Sequence, residues 1–268
     1  MQFDAPKVMG IINLTSDSFY EQSRKQGLDA VLEQAEKMLL AGADFLDLGA
    51  VSTRPGSVEI SADEEKKRLY PALECLVQHF PEACISVDTY RAALAEDAVA
   101  LGAAMINDVS GGLMDEAMFE TVSKLQIPYI LMHMRGTPQT MTDLTRYERF
   151  PEDVILEMAT QINHLRAAGM NDILVDPGFG FAKTTAQNFH LLRELGLFQT
   201  FQCPILVGIS RKGMIHRTLG ISPQEALNGT TALHMAALER GADILRVHDV
   251  KEALECVNLY SALQNEGN

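Results

Sequence analysis

The sequence predicts one domain built as an eight-stranded parallel β/α barrel, and three observations carry that expectation. Short runs rich in Val, Ile and Leu alternate with longer segments of helical periodicity from one end of the chain to the other. Eight such runs fit into 268 residues. A single closed barrel takes about 250 residues, whereas a doubly wound sheet would hold fewer strands or need extra material. Nearly every run also ends in polar side chains, and barrels of this kind place their chemistry at the carboxyl ends of the strands.

The elements follow in order. Lys7 to Leu14 is the first strand candidate and ends in Asn13, with Thr15 and Asp17 beyond it; Asp29 to Ala41 is the amphipathic segment after it. Phe45 to Gly49 contains Asp47 and opens onto the loop Ser52-Thr53-Arg54-Pro55-Gly56, before the helical stretch Ala62 to His79. Cys84 to Thr89 ends in Asp88 and is followed by Arg91 to Leu101. Met105 to Val109 carries Asn107 and Asp108; Tyr129 to Met134 carries His133 and precedes the helix Glu152 to Ala168. Ile173 to Asp176 ends in a carboxylate, and Ile205 to Ile209 leads into Ser210, Arg211 and Lys212. After Thr230 to Arg240, Ile244 to His248 supplies Arg246 and His248, with Asp249 next. The recurring AGAD, LGAA, AAGM and RGAD segments are helix-to-strand returns of successive units. No linker or low-complexity stretch divides residues 1–268, so the expectation is a single-domain (β/α)8 TIM barrel.

Composition narrows the function. Hydrophobic residues make up 47% and charged residues 22%, an ordinary balance for a packed fold. A formal charge of -14 argues against nucleic-acid or anionic-membrane partners, which require clustered Lys and Arg. MQFDAPKVMGII has neither a basic leader nor a long apolar run, so a cytoplasmic location is expected. Cys75, Cys84, Cys203 and Cys256 are scattered and read as inert reduced thiols, and no spacing suggests zinc or iron. The thirteen methionines read as core filler.

Taken singly, Asp and Asn at strand ends cap helices or close turns. Taken together, carboxylates and amides from strands three, four and six would be buried at considerable cost unless a ligand with matching donors completes them, and a flat heterocycle with several N–H groups matches. The Ser52–Gly56 loop offers a cation and a hydroxyl on the active face, with a plain surface loop as the alternative. Gly208-Ile209-Ser210-Arg211-Lys212-Gly213 puts a hydroxyl and two cations where a strand meets a helix, a place suited to anions; a solvated charged face is the alternative. Arg246 and His248 lie two apart and so point to one side of their strand; facing the mouth, they would clamp phosphate. His133 is ambiguous, because alternation with Met132 and Met134 says only that one set faces inward, and His234 reads as a helix-surface or packing residue.

Several segments resemble the dihydropteroate synthase family, in family order and across nearly the whole chain. They are Met9-Gly10-Ile11-Ile12-Asn13-Leu14-Thr15 with Asp17-Ser18-Phe19, the Ser52–Gly56 loop, Ile85-Ser86-Val87-Asp88-Thr89, and Ile106-Asn107-Asp108. Further on come Met132-His133-Met134, Asp176-Pro177-Gly178-Phe179-Gly180-Phe181, Gly208-Ile209-Ser210-Arg211-Lys212 and Arg246-Val247-His248-Asp249-Val250. The resemblance implies a pterin held by Asp88, Asn107, Asp176 and Lys212, with Met132, Phe181 and Gly208 also binding it. It implies a diphosphate contacted by Asn13, Thr53, Arg54, Arg246 and His248, and a Mg2+ ion reached by Asn13. It places p-aminobenzoate among Thr53, Arg54, Pro55, Phe181, Ser210 and Lys212, where sulfonamides compete. Departure of diphosphate before arylamine attack would leave a pterin methylene cation, with Asp88, Lys212, Asn13, Arg246 and His248 as the catalytic set. A homodimer through the late helices is the expected assembly. The chain departs from many relatives at Ser16, Val51 and Arg135. A pterin-dependent methyltransferase would share the barrel but has no diphosphate to clamp, and the retained Asn13, Arg54, Lys212, Arg246 and His248 weigh against a silent paralogue.

Overall fold

A computed structural model describes residues 3–14, 24–53, 56–57 and 59–264. Its strands are β1 (Lys7–Asn13), β2 (Phe45–Gly49), β3 (Cys84–Asp88), β4 (Met105–Asp108), β5 (Tyr129–Met132), β6 (Ile173–Asp176), β7 (Leu206–Val207) and β8 (Ile244–Val247). All pairings are parallel, in the order β6-β5-β4-β3-β2-β1-β8-β7. The remaining seam between β6 and β7 is closed by a parallel bridge from Val175 to Ile205, with the Val175 amide donating to Pro204 O at 2.9 Å. The expected barrel is therefore the observed one.

Helices return the chain on the outside: α1 (Arg24–Leu40), α2 (Ala62–His79), α3 (Ala92–Ala100), α4 (Met118–Leu125), α5 (Glu152–Ala167), α6 (Thr185–Arg193), α7 (Gly213–Leu219), α8 (Leu227–Leu238) and α9 (Val250–Gln264). Local chemistry sets several ends. Ser61 caps α2 by accepting from the Glu64 amide, ahead of Asp63, Glu64 and Glu65 in a first turn that favours negative charge. Thr184 and Gln187 form a reciprocal capping box at α6. Most strands are one to three residues shorter than the sequence suggests, because the chain leaves the ladder at the mouth to form loops. No helix among the described residues is long and apolar enough to cross a membrane.

Strand alternation produces two cores. Outward side chains such as Val8, Leu46, Val87, Ile106, Leu131, Val175, Val207 and Leu245 pack under the helices. Inward ones, Met9, Phe45, Met105, Ile130, Leu174, Leu206 and Ile244, form a separate plug in the lumen, joined by Phe3 and Cys84. The four cysteines are free thiols, each pKa pushed up by burial.

Candidate active site

Two residues further along each strand, alternation returns the side chain to the lumen, and on β2, β3, β4, β6 and β8 the inward positions there become polar. Above Phe45 stands Asp47, above Met105 Asn107, above Leu174 Asp176 and above Ile244 Arg246; β3 adds Asp88, and Met132 lies above Ile130. Parallel register aligns the rim, pairing Asn13 with Gly49, Gly49 with Asp88, Asp88 with Asn107, and Met132 with Asp176. An apolar plug thus supports a polar floor open at the carboxyl ends of the strands.

Asp47 is the hub of that floor. One of its oxygens accepts from Asn107 Nδ2 at 3.0 Å and from Arg246 Nε at 2.6 Å, while Arg246 also donates to Asp88 at 2.9 Å. Because a carboxylate only accepts, this contact settles the Asn107 amide: its nitrogen points to Asp47 and its oxygen is left for a ligand. Asp47 is fully buried and its other oxygen has no partner among the described residues. Burial raises the pKa of Asp88 against the opposing pull of Arg246. Burial likewise opposes the charge on Arg246, but Asp47 and Asp88 outweigh it and the guanidinium stays charged.

Asp176 holds the opposite side. Its Oδ1 accepts from the Gly178 amide at 2.7 Å; burial raises its pKa, with Lys212 pulling the other way. Lys212 donates to Phe179 O at 2.5 Å and its ammonium lies 4.8 Å from the Phe181 ring centre. Burial brings its pKa down to about 8 although Asp176 favours the charge. A side chain on Gly208 would first meet Asp176 Oδ2 and Lys212 Nζ, both at 3.9 Å, so this glycine leaves a flat opening between an acceptor and a donor. Met132 and Phe181 belong to an apolar cluster at the mouth with Tyr90, Val109, Met134, Met141 and Ala182.

The predicted residues distribute as follows. Asp88, Asn107, Asp176, Met132, Gly208, Lys212, Phe181 and Arg246 are brought to the floor or its rim. Asn13 is exposed at the end of β1, Thr53 is half-buried in the loop after β2, and Ser210 is buried with its Oγ accepting from the His248 amide at 3.3 Å. Arg54 and Pro55 lie outside the described residues, as do Thr15 and Asp17. Arg246 points into the lumen, where it is paired with Asp47 and Asp88. One expectation needs correction, because the two cations after β7 part ways: Arg211 makes a two-pronged pair with Asp249 at 2.7 and 2.9 Å and donates to Pro223 O and Gln224 O, so it braces the loop. His248 lies one residue past β8 and is exposed.

Sequence reasoning passed over two residues. Asp47 was visible as a strand residue, and its inward parity with Phe45 was the available signal. Lys183 had no signal, since its partners come from β5 and the loop after β6. His133 faces away from the lumen toward α5, and His234 is buried in α8, where burial takes its pKa down to about 4.

Chemically, the floor presents acceptors at Asp176 and Asn107 and a donor at Lys212 around an opening without a side chain, which suits a planar ring with adjacent N–H groups and a carbonyl. Asp47, Asp88 and Asp176 line the lumen beside Arg246 and Lys212, and burial holds the pKa of Asp88 up at about 8, so a ligand that gains positive charge beside it would favour loss of its proton.

Residues 9–248 match the sequence model of a family described as pterin binding enzyme. The dihydropteroate synthase of Escherichia coli K12 is 39% identical over 259 residues, covering 96% of this chain and 91% of its own. That of Haemophilus influenzae is 36% identical over 267 residues, covering 99% and 96%. Among solved structures, the Yersinia pestis dihydropteroate synthase with a sulfonamide drug complex superposes with a TM-score of 0.91 at 39% identity, covering 98% of this chain and 96% of that one. The Xanthomonas albilineans dihydropteroate synthase with 4-aminobenzoic acid gives 0.90 at 36% identity, covering 98% and 95%.

Proposed function

The chain belongs to the pterin-binding enzyme family, with the dihydropteroate synthases as its relatives, and from that premise we propose that it joins 6-hydroxymethyl-7,8-dihydropterin diphosphate to p-aminobenzoate. The products are 7,8-dihydropteroate and diphosphate, a step of folate biosynthesis. The observation that carries this reading is the lumen floor of Asp88, Asn107 and Asp176 around Gly208, with Lys212 and Arg246 beside it.

In this reading Asp176 accepts from the pterin amino and ring N–H groups, Asn107 presents its oxygen, and Lys212 donates to the ring carbonyl. The methylene–oxygen bond breaks with its electron pair leaving on diphosphate, and positive charge spreads over the ring. Asp88, its pKa raised by burial to about 8, is driven to ionise as positive charge develops on the ring beside it, and in that form it favours the cation. The arylamine nitrogen then forms the new bond to the methylene carbon and gives up a proton to solvent. Phe181 supplies apolar contact for p-aminobenzoate, while Arg246, His248 and Asn13 act on the departing diphosphate.

Magnesium is part of the proposal. Asn13 ends β1 at the mouth in register with Gly49, and a single neutral amide oxygen suits an ion carried mainly by substrate oxygens. Such an ion would offset charge on the diphosphate.

Incubation of the chain with pterin diphosphate, p-aminobenzoate and Mg2+ should release diphosphate and form dihydropteroate in equal amounts. Pterin binding without diphosphate release would refute the assignment, in favour of a methyltransferase or a silent paralogue.

A further inference from the structure

We propose that Lys183 is a positioning residue for this reaction, anchoring a chain Lys183–His133–Glu157, buried at its first two members and half-buried at Glu157, that holds the turn bearing Phe181 in the shape that receives the arylamine; the proposal rests on the synthase reading above.

The turn runs from Gly178 to Ala182, behind the floor residue Asp176. It is conformationally demanding: Gly178, Gly180 and Ala182 have φ of 70°, 84° and 48°. At Gly178 a Cβ would come within 1.9 Å of His133 O, and at Ala182 a side chain is held in the left-handed region. Such a turn keeps its shape only if its polar groups are gripped. From the lumen side, Lys212 takes Phe179 O; from behind, Lys183 Nζ takes Gly178 O and Phe181 O, each at 3.1 Å. Tyr147 OH donates to Ala182 O at 3.0 Å, and the Gly180 amide donates to Asn188 Oδ1 at 2.7 Å.

The third proton of Lys183 goes to His133. Nζ lies 2.8 Å from His133 Nδ1, so that nitrogen accepts and the other carries the hydrogen, directed at Glu157 Oε2 3.0 Å away. Burial, followed by the charge of Lys183, takes His133 down to about 4, which keeps it a neutral acceptor. Glu157 is fixed from its far side by Arg135 Nε at 3.0 Å, and Arg135 lies over the Tyr147 ring at 3.8 Å. The chain thus ties the arylamine side of the site to α5 without touching a substrate.

An ammonium has three donors and all three are used; a neutral amine has two, so losing the proton leaves one acceptor of the turn or ring bare. Burial takes Lys183 down to about 7; Asp176 and Glu157 act to keep its proton, Lys212 and Arg135 to remove it. The grip on the turn therefore weakens as pH rises through the neutral range.

Steady-state kinetics of the full chain, varying each substrate across the neutral range, test this together with Lys183→Met, Lys183→Arg and Glu157→Gln. Lys183→Met should raise KM for p-aminobenzoate about tenfold or more while the KM for the pterin diphosphate stays within about threefold. Lys183→Arg keeps a permanent charge and should flatten the pH dependence. Glu157→Gln keeps an acceptor for His133 but removes a negative charge that favours the Lys183 proton. It should therefore move the midpoint of the p-aminobenzoate KM rise to lower pH. The shift should be absent when Glu157→Gln is combined with Lys183→Arg, which assigns it to Lys183 rather than to Lys212. Equal losses for both substrates in Lys183→Met, or an unmoved midpoint in Glu157→Gln, overturn the proposal and leave Lys183 a plain structural brace. If Lys183→Met does not fold, the Glu157→Gln midpoint alone decides. A wild-type chain that forms no product overturns the synthase reading itself, and with it this role.

Discussion

Gly208→Ala separates binding from stability more cleanly than any other substitution in this site. Gly208 lies outside the left-handed region, and its new methyl group would meet no atom closer than 3.9 Å. The protein should therefore accept it. Restricting the unfolded chain should add about 0.4–1 kcal/mol, which in a chain of this size raises Tm by roughly 1–4 °C. A pterin ring lying across the opening would be lifted off the backbone by about a methyl radius, stretching the hydrogen bonds to Asp176 and Lys212 past useful length. Bonds to charged groups contribute about 1.5–3 kcal/mol each, so losing the equivalent of one to Asp176 or Lys212 weakens pterin binding roughly 10- to 150-fold. Calorimetric titration with the pterin and thermal denaturation of the same preparation measure both quantities. A pterin Kd within about threefold of wild type, with Tm unharmed, would remove Gly208 from the face of the ring. A clear fall in Tm would instead show that the backbone there does not tolerate a side chain.

Other outcomes follow from the same floor. Removing one partner of a buried ion pair costs about 3–5 kcal/mol, and since Arg246 keeps Asp88, Asp47→Asn should cost about 2–3 kcal/mol; an unchanged urea midpoint would contradict the hub. Asp88→Asn should lower kcat about 100-fold or more while leaving KM for p-aminobenzoate within about threefold, because the charge is needed chiefly as the cation forms. Comparable losses in both constants would count against that role. Lys212, brought down to about 8 by burial, loses its charge as pH rises through that value, so pterin affinity should weaken above it. In Lys212→Met that alkaline limb should be absent and binding weak throughout; a limb that persists belongs to another group.

The barrel was legible because period-two alternation and helical periodicity are local properties of the chain, and eight units leave little room for another topology. So was most of the floor, since Asp88, Asn107 and Asp176 stand near the ends of short apolar runs. His133 was not, because Met132 and Met134 flank it alike and inward facing depends on which side of the strand meets the lumen; the fold puts Met132 inside and His133 against Glu157. Arg211 looked as available as Lys212, and only its meeting with Asp249 separated them.

By itself, then, the order of residues determined which side chains reach the mouth of the barrel and what chemical types gather there. Tertiary structure alone decided who partners whom: Arg246 with Asp47, 199 residues away, and Lys183 with His133, 50 residues away. A closed ring of strands brings together groups with no proximity in the chain, and once they are buried, their hydrogen bonds and charges depend on those neighbours rather than on local sequence.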